Sequence, residues 1–257
     1  MVRLSRVMGF EPKHLVANLR TLPAFGRSVQ KYKRENTRPS FSIALRNLYP
    51  ILHETDLGAG AVVEHYFHQD LWAAKRIFAA RPDSHVDVGS RVDGFVAHLL
   101  VFMPVTLVDI RPVQATIPGL TFVQSDATKL DGFEDDSVAS ISSLHAAEHF
   151  GLGRYGDPID PDACFSFMRA LARVLAPGGR LYFSVPIGRE RVEFNAHRVF
   201  ATDTIFKTFS GLRLLSVSFV DDQGCLHENV NPGDVPPSEF SCGLFEFTKL
   251  ESSGPPS

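Results

Sequence analysis

The chain has only three cysteines in 257 residues, Cys164, Cys225 and Cys242. They are odd in number and far apart, which excludes a disulfide framework and a four-cysteine zinc site and leaves reduced structural thiols as the expectation. No apolar run approaches the roughly 20 residues that cross a bilayer. The N-terminus also lacks the continuous apolar core and small-residue cleavage site of a secretory signal. A cytoplasmic protein is expected. Internal repeats and low-complexity blocks are missing too, and the net charge of −3 argues against nucleic acid as a partner.

What is present is enough apolar material for one sizeable core, 44% of the residues. The charge is unevenly distributed. Residues 1–38 carry nine Lys/Arg against Glu11 and Glu35, so this arm is +7 and the remainder −10. Leu4, Phe10, Leu15, Leu19, Leu22 and Phe25 are interleaved with the bases. Such a segment forms amphipathic helices, suited either to an anionic membrane surface or to the acidic body of the same chain. We therefore expect a basic helical extension over residues 1–60, an α/β domain over 61–250 and a disordered tail over 251–257.

From residue 70 the pattern is regular. In "DLWAAKRIFAA" (70–80), Leu71, Ala74, Ile77 and Phe78 share a helical face and Lys75 and Arg76 lie off it; "RPDS" then ends the helix. Strands are expected at 85–90 ("HVDVGS"), 105–112, 120–127, 137–144 and 180–188, with helices at 93–102 and 160–179 between them. Asp and Pro open the latter helix and Pro-Gly-Gly closes it. Strands alternating with helices imply a doubly wound, mostly parallel sheet. The rhythm then changes: "LRLLSVSFVDD" (212–222) and "SCGLFEFTKL" (241–250), joined by a polar loop, are expected to pair as an antiparallel hairpin at the sheet edge.

Open α/β sheets bind ligands beyond the carboxyl ends of their strands, where strand order reverses. The loop after the first strand reads D-V-G-S-R-V-D-G, and Gly89 lets the backbone turn tightly. Asp87, Asp109 and Asp126 each fall at or just past a strand end. One such aspartate would mean little, because Asp is common in turns; three at neighbouring strand ends form a constellation. Asp109 lies 20 residues after Gly89, a spacing that nicotinamide folds share, but no G-x-G-x-x-G is present and Asp87 sits inside the first strand.

"HVDVGSRVDG", the acid closing "LVDIRP", "SDA" and "LAPGGRLYFSVP" resemble the successive motifs of class I S-adenosylmethionine-dependent methyltransferases, over about residues 84–188. "LHAAEHFGLGRYGDPIDPDA" and "EFNAHRVF" look, more narrowly, like the bacterial methyltransferase-like family called domain of unknown function 268. The resemblance implies a Rossmann-like methyltransferase fold with a seven-stranded sheet. It implies S-adenosylmethionine as cofactor, held by Asp87, Gly89, Ser90, Arg91, Gly94, Asp109, Ile110, Asp126, Ala127 and Leu144. In it, the backbone from Gly89 to Gly94 lies along the methionine part, with Asp87 near the ammonium. Asp109 accepts from the ribose hydroxyls and Asp126 binds the adenine amino group. The family pattern D-x-G-x-G-x-G is broken by Arg91 and Asp93. Arg91 narrows the approach or holds the methionine carboxylate bidentately, and the break keeps open a fold that binds no cofactor.

His145, Glu148 and His149 have the order H-x-x-E-H found in zinc hydrolases, where two histidines one helical turn apart bind the metal. That arrangement needs a long helix. Here the motif follows a strand-like run and precedes Gly151, Gly153 and Gly156, so at most a turn or two of helix is available, and no metal is expected. The cluster instead falls at the end of the fourth strand, beside the transferable methyl group in the methyltransferase arrangement. His149, His145, Glu148, Asp157 and His197 are the candidate catalytic residues, with His149 first as general base, oriented by Glu148 or Asp157. Tyr66, His68 and Gln69 either line the cofactor entrance or cap a helix. The polar segments 151–162 and 221–241 suit a hydroxylated small molecule or sugar, and the narrower resemblance implies bacterial surface-glycan chemistry.

Overall fold

The computed structural model describes residues 12–48 and 64–251. Residues 1–11, 49–63 and 252–257 lie outside the described residues, and with them Leu4, Phe10, the boundary expected at 60/61 and most of the expected tail. The chain divides into two units between residues 62 and 63. In the first, α1 (Pro12–Glu35) is a helix with Pro23 inside it and Lys33 and Arg34 in its last turn. Those bases favour the negative end of the helix dipole.

The second unit is built on an eight-stranded sheet. Its first elements are α2 (Glu64–Ala80), β1 (His85–Val88), a π-type turn (Val92–Val96) running into α3 (Ala97–Leu100), β2 (Val105–Asp109) and β3 (Leu120–Gln124). β4 (Val138–Leu144), α4 (Ala163–Val174), β5 (Leu175–Ile187), β6 (Arg191–Glu193), β7 (His197–Val199) and α5 (Thr202–Thr208) follow. β8 (Arg213–Val220), β9 (Leu226–Val230) and β10 (Ser241–Thr248) complete it. The sheet order is β3-β2-β1-β4-β5-β10-β8-β9. β1 to β5 are mutually parallel, and β10, β8 and β9 pair antiparallel. β1 is flanked by β2 and β4, which puts the reversal of strand order, and hence the ligand cleft of such sheets, above the carboxyl end of β1.

The sequence pattern carries into the core. Alternate β10 residues feed opposite faces: Phe245 and Phe247 join Phe167, Leu171 and Val174 of α4, and Leu244 joins Trp72, Ala73 and Ile77 of α2.

Several boundaries differ from the sequence expectation. The sheet has eight strands rather than seven, because the polar loop 221–241 contains β9. The last two expected strands do pair, but β10 lies inside the sheet between β5 and β8 and only β9 is at that edge. Phe78 is 57% exposed, packed edge-on against Phe102. Ala73 and Ile77, one turn apart, centre the buried face of α2, and Phe78 lies about 100° around the helix from Ile77. The helix expected at 93–102 begins as a π-type turn because Gly94 takes non-helical angles (φ −117, ψ −113). β5 starts at Leu175 rather than 180, and the register against β4 shifts over the Pro-Gly-Gly stretch.

A buried polar chain runs beneath β1. His85 Nδ1 lies 2.7 Å from Ser140 Oγ and Nε2 2.8 Å from Ser142 Oγ, whose hydroxyl donates to Asp87. Because Ser142 gives its proton to Asp87, Nε2–H of His85 donates to Ser142 and Nδ1 accepts from Ser140. Burial lowers the His85 pKa to about 3 and raises that of Asp87 to about 7, against the hydrogen bonds from Ser142 and Ser90. The signs oppose. As pH falls from 6.5 toward 3, only unfolded His85 takes up a proton, so stability is lost; as it falls from 7 toward 3.8, folded Asp87 takes up more, so stability is gained. Each slope is about 1.4 kcal/mol per pH unit within its window. Asp87→Asn removes the compensating titration, so its melting temperature is expected to drop more steeply than that of the native chain between pH 6.5 and 4.5. Parallel slopes in thermal denaturation would contradict this account.

Candidate active site

A cleft of about 510 Å³ opens above the carboxyl ends of β1, β2, β3 and β4, within the ordinary size range of small-molecule sites. Of the residues expected from sequence, Gly89, Ser90, Arg91, Gly94, Asp109, Ile110, Asp126, Ala127, Leu144, His145, His149 and Asp157 line it, as do Tyr66 and Gln69.

The wall begins at Gly89. Its φ of +85 is left-handed, and its N–H donates to Val108 O, tying the turn to β2. Asp87 does not line the cleft. It is fully buried, and its carboxylate accepts from Ser90 N (3.1 Å), Ser90 Oγ (2.9 Å) and Ser142 Oγ. It therefore shapes the loop from below instead of facing a ligand. Arg91 lines the cleft but offers no free guanidinium fork: its Nε and Nη2 groups donate to Asp93 at 2.9 and 2.7 Å, in an exposed pair.

Asp109, at the end of β2, is 8% exposed. Its oxygens accept from the backbone N–H and guanidinium of Arg111 (2.8 and 2.9 Å to Oδ1). Arg111 also stacks on the Tyr155 ring, 4.8 Å from its centroid. Asp126 is exposed, and its Oδ1 accepts from Thr128 N (2.9 Å) in a local turn.

Sequence reasoning missed Asp70, Arg111, Arg154 and Tyr155, all lining residues. Asp70 was legible only as part of a helix start. In the fold its Oδ2 faces Gly94, where an added Cβ would sit 3.1 Å away. Burial raises its pKa to about 6.

The H-x-x-E-H stretch is not one helix. His145 has φ +49, and only a short 3₁₀ turn, Ala147–His149, follows it. The backbone N–H of His145 donates to Ser184 O and Ser184 Oγ, and that hydroxyl donates in turn to Gln69. Gln69 is thus a buried support of the β4 terminus, not a cap; His68 does not line the cleft and packs against Phe67. Glu148 is 1% exposed and lies between the two histidines, with Oε1 3.2 Å from His145 Nδ1 and 3.6 Å from His149 Nε2. Burial opposes its ionisation, but His145 outweighs this and holds the carboxyl below its usual range. Burial would also lower the His145 pKa; Cys242 and Glu148 overcome it and raise the imidazole well above its ordinary value.

His149 differs. Its Nδ1 lies 2.6 Å from Ala196 O and so carries the proton, which leaves Nε2 with the lone pair. Burial, partly offset by Glu148, lowers its pKa, so it is neutral near pH 7. Asp157 lines the cleft but does not orient His149: its carboxylate accepts from Gly151 N, Gly153 N and Tyr155 N, at 2.8, 3.2 and 3.2 Å. His197, on β7, does not line the cleft; it tilts against Phe240 at 5.0 Å.

The family model described as a Caenorhabditis protein of unknown function, DUF268, matches residues 116–227. Both narrow stretches quoted above fall within that range, though the description names Caenorhabditis rather than bacteria. A search of curated proteins finds no significant match. Among solved structures, the chain is similar to a Burkholderia thailandensis 1,6-didemethyltoxoflavin-N1-methyltransferase with bound 1,6-didemethyltoxoflavin and S-adenosylhomocysteine (18% identity, TM-score 0.53, covering 71% of this chain and 79% of that one). It is similar to the N-methyltransferase NodS of Bradyrhizobium japonicum in complex with S-adenosylhomocysteine (14%, 0.52, 88% and 99%). It is also similar to the cyclase SpnF (12%, 0.53, 72% and 82%). The second unit therefore has the Rossmann-like fold of class I methyltransferases.

Proposed function

We propose that the chain is an S-adenosylmethionine-dependent methyltransferase that methylates an oxygen of a hydroxylated small molecule or sugar. The observation that carries this is the cleft itself: Asp109 and Asp126 stand along one wall at adjacent strand ends, with the Gly89 turn beside them. A carboxylate is a two-oxygen acceptor suited to a ribose diol or an exocyclic amine. The residues present fit the cofactor. Asp109 would hold the ribose, displacing or sharing at least one Arg111 bond; Asp126, with Ile110 and Ala127, would border the adenine; and Gly89, Ser90 and Gly94 would face the methionine part. Asp70, facing Gly94, is the carboxylate best placed for an ammonium group.

When bound, the cofactor supplies an electrophilic methyl group on a sulfonium. The protein's part is to orient the acceptor and take its proton. His149 is the base, with Nδ1 fixed by Ala196 O and Nε2 near Glu148, which stabilises the imidazolium formed. Such a positioned base contributes about 10²- to 10⁴-fold in rate. The exposed Tyr155 and the polar segment 151–162 border the acceptor side. The basic arm suits an anionic membrane surface, where surface glycans are assembled. The likeness to a cyclase means that fold by itself does not decide the chemistry.

Calorimetric titration with S-adenosylhomocysteine tests the proposal. Micromolar binding is expected in the native chain, weakened about 10- to 100-fold in Asp109→Ala, the cost of charged hydrogen bonds worth about 1.5–3 kcal/mol. A folded native sample that binds neither S-adenosylmethionine nor S-adenosylhomocysteine would sink it.

A further inference from the structure

His145 reaches in two directions. Its Nδ1 faces Glu148, and its Nε2 lies 3.2 Å from Cys242 Sγ on β10. His65, in the first turn of α2, completes a cluster in which one ligand atom from each of His65, His145 and Cys242 lies within 4.8 Å of the others. The three come from different parts of the fold: the N-terminal end of α2, the residue after β4, and the second residue of β10.

We propose that a ring nitrogen of His65, Nε2 of His145 and Sγ of Cys242 bind a zinc ion, leaving a fourth position for water or for the heteroatom of an acceptor. Imidazole and thiolate are the ligand types of zinc, and three protein ligands with an open fourth position are the usual catalytic arrangement.

Four features beyond the cluster point to an ion. Glu148 binds the far nitrogen of His145, the carboxylate–histidine arrangement that fixes the ring and raises the basicity of a metal ligand. Its Oε2 is buried with no hydrogen-bond partner among the described residues. A divalent ion against the Cys242 thiolate and the Glu148 carboxylate would bring this buried group to neutrality, which low-polarity surroundings favour strongly. His145 also holds a left-handed φ of +49, uncommon for a residue with a side chain and typical of strained functional positions.

The remaining ligands are held as firmly. Phe240 stacks on His65 at 5.5 Å and 21°. Asp222 anchors the chain entering β10 by accepting from Glu239 N, Phe240 N and Ser241 Oγ. Cys242 is fully buried and does not line the cleft, so a thiol nucleophile acting directly on a substrate is a poorer account of the same residues.

This site is distinct from the H-x-x-E-H arrangement: His149 is not part of the cluster. The ion does not depend on the methyl-transfer proposal, but its use on an acceptor does. When bound, the ion would make an acceptor hydroxyl at its fourth position more acidic, which would ease removal of its proton by a base such as His149.

The test uses the whole chain, stripped with chelator, reloaded with zinc and desalted, with metal measured by mass spectrometry; a parallel sample carries cobalt. A single retained zinc and a thiolate-to-cobalt charge-transfer band are expected. Both should be lost in Cys242→Ser and in His65→Ala, yet kept in His149→Ala, while Glu148→Gln weakens zinc binding about 10- to 100-fold. No retained zinc in a native sample that is folded by circular dichroism would overturn the site. So would retention in both ligand variants, or loss in His149→Ala with retention in His65→Ala. Titration of the same samples with S-adenosylhomocysteine separates the two proposals: zinc without cofactor binding removes methyl transfer and leaves the ion, and cofactor binding without zinc does the reverse.

Discussion

Gly89→Ala is expected to weaken S-adenosylhomocysteine binding about 100-fold or more, corresponding to at least about 2.8 kcal/mol, while the chain still folds. Two costs act together. The φ of +85 is left-handed and costs an alanine about 1–2 kcal/mol. The new Cβ would also lie 2.8 Å from Ala146 Cβ, closer than carbon atoms pack. Ala146 belongs to the turn between His145 and the 3₁₀ segment, so relief must come from the Gly89 loop. That moves the backbone which has to approach the ligand closely. The stability loss should be the smaller effect, because the overlap is with one side-chain atom and the strand ends before it. Calorimetry beside a thermal melt reads both; a variant that binds like the native chain would show that the cofactor does not lie along this loop.

Gly151→Ala is expected to cost more stability than any other single change considered, above about 4 kcal/mol, a magnitude reserved for few mechanisms. Its φ is +76, and an added Cβ would sit 1.8 Å from Asp160 O and 2.8 Å from Ala163 Cβ. The carbonyl cannot retreat easily, because Asp160 N donates to Gly151 O at 3.0 Å and Gly151 N donates to Asp157. The segment would have to open, releasing Asp157, the Tyr155 wall and the N-terminal end of α4. Gly156→Ala is the control: φ is +86, but the Cβ would meet nothing within 4 Å, so only the backbone cost of about 1–2 kcal/mol applies. Equal melting temperatures for the two variants would refute the steric account.

Local patterns carried much of this. The turn glycine at 89, the acids at 109 and 126 and the break after His149 were all legible, because each depends on a few neighbouring residues. The H-x-x-E-H stretch forms no long helix, as the strand before it and the glycines after it imply. What the sequence leaves open is which way each side chain turns and which partner, near or distant, takes it up. Asp157 looked like a companion for His149, but its oxygens are taken by three backbone N–H groups of its own loop. Arg91 looked free until Asp93 claimed it, and Asp87 sits beneath the loop it seemed to head. Cys242 reads in sequence as an ordinary strand residue, because the two histidines beside it in the fold are far from it along the chain.

By itself, the sequence determined the alternation of strands and helices, the mostly parallel character of the sheet, and which loops carry acids, because hydrophobic periodicity and turn chemistry are local. Only the tertiary structure decided that β10 runs inside the sheet and that β9 forms its edge. It alone set His65 and Cys242 beside His145 from 80 and 97 residues away in the chain. Such contacts follow from strand register and burial, which satisfy the whole chain at once and leave no mark on any short stretch of it.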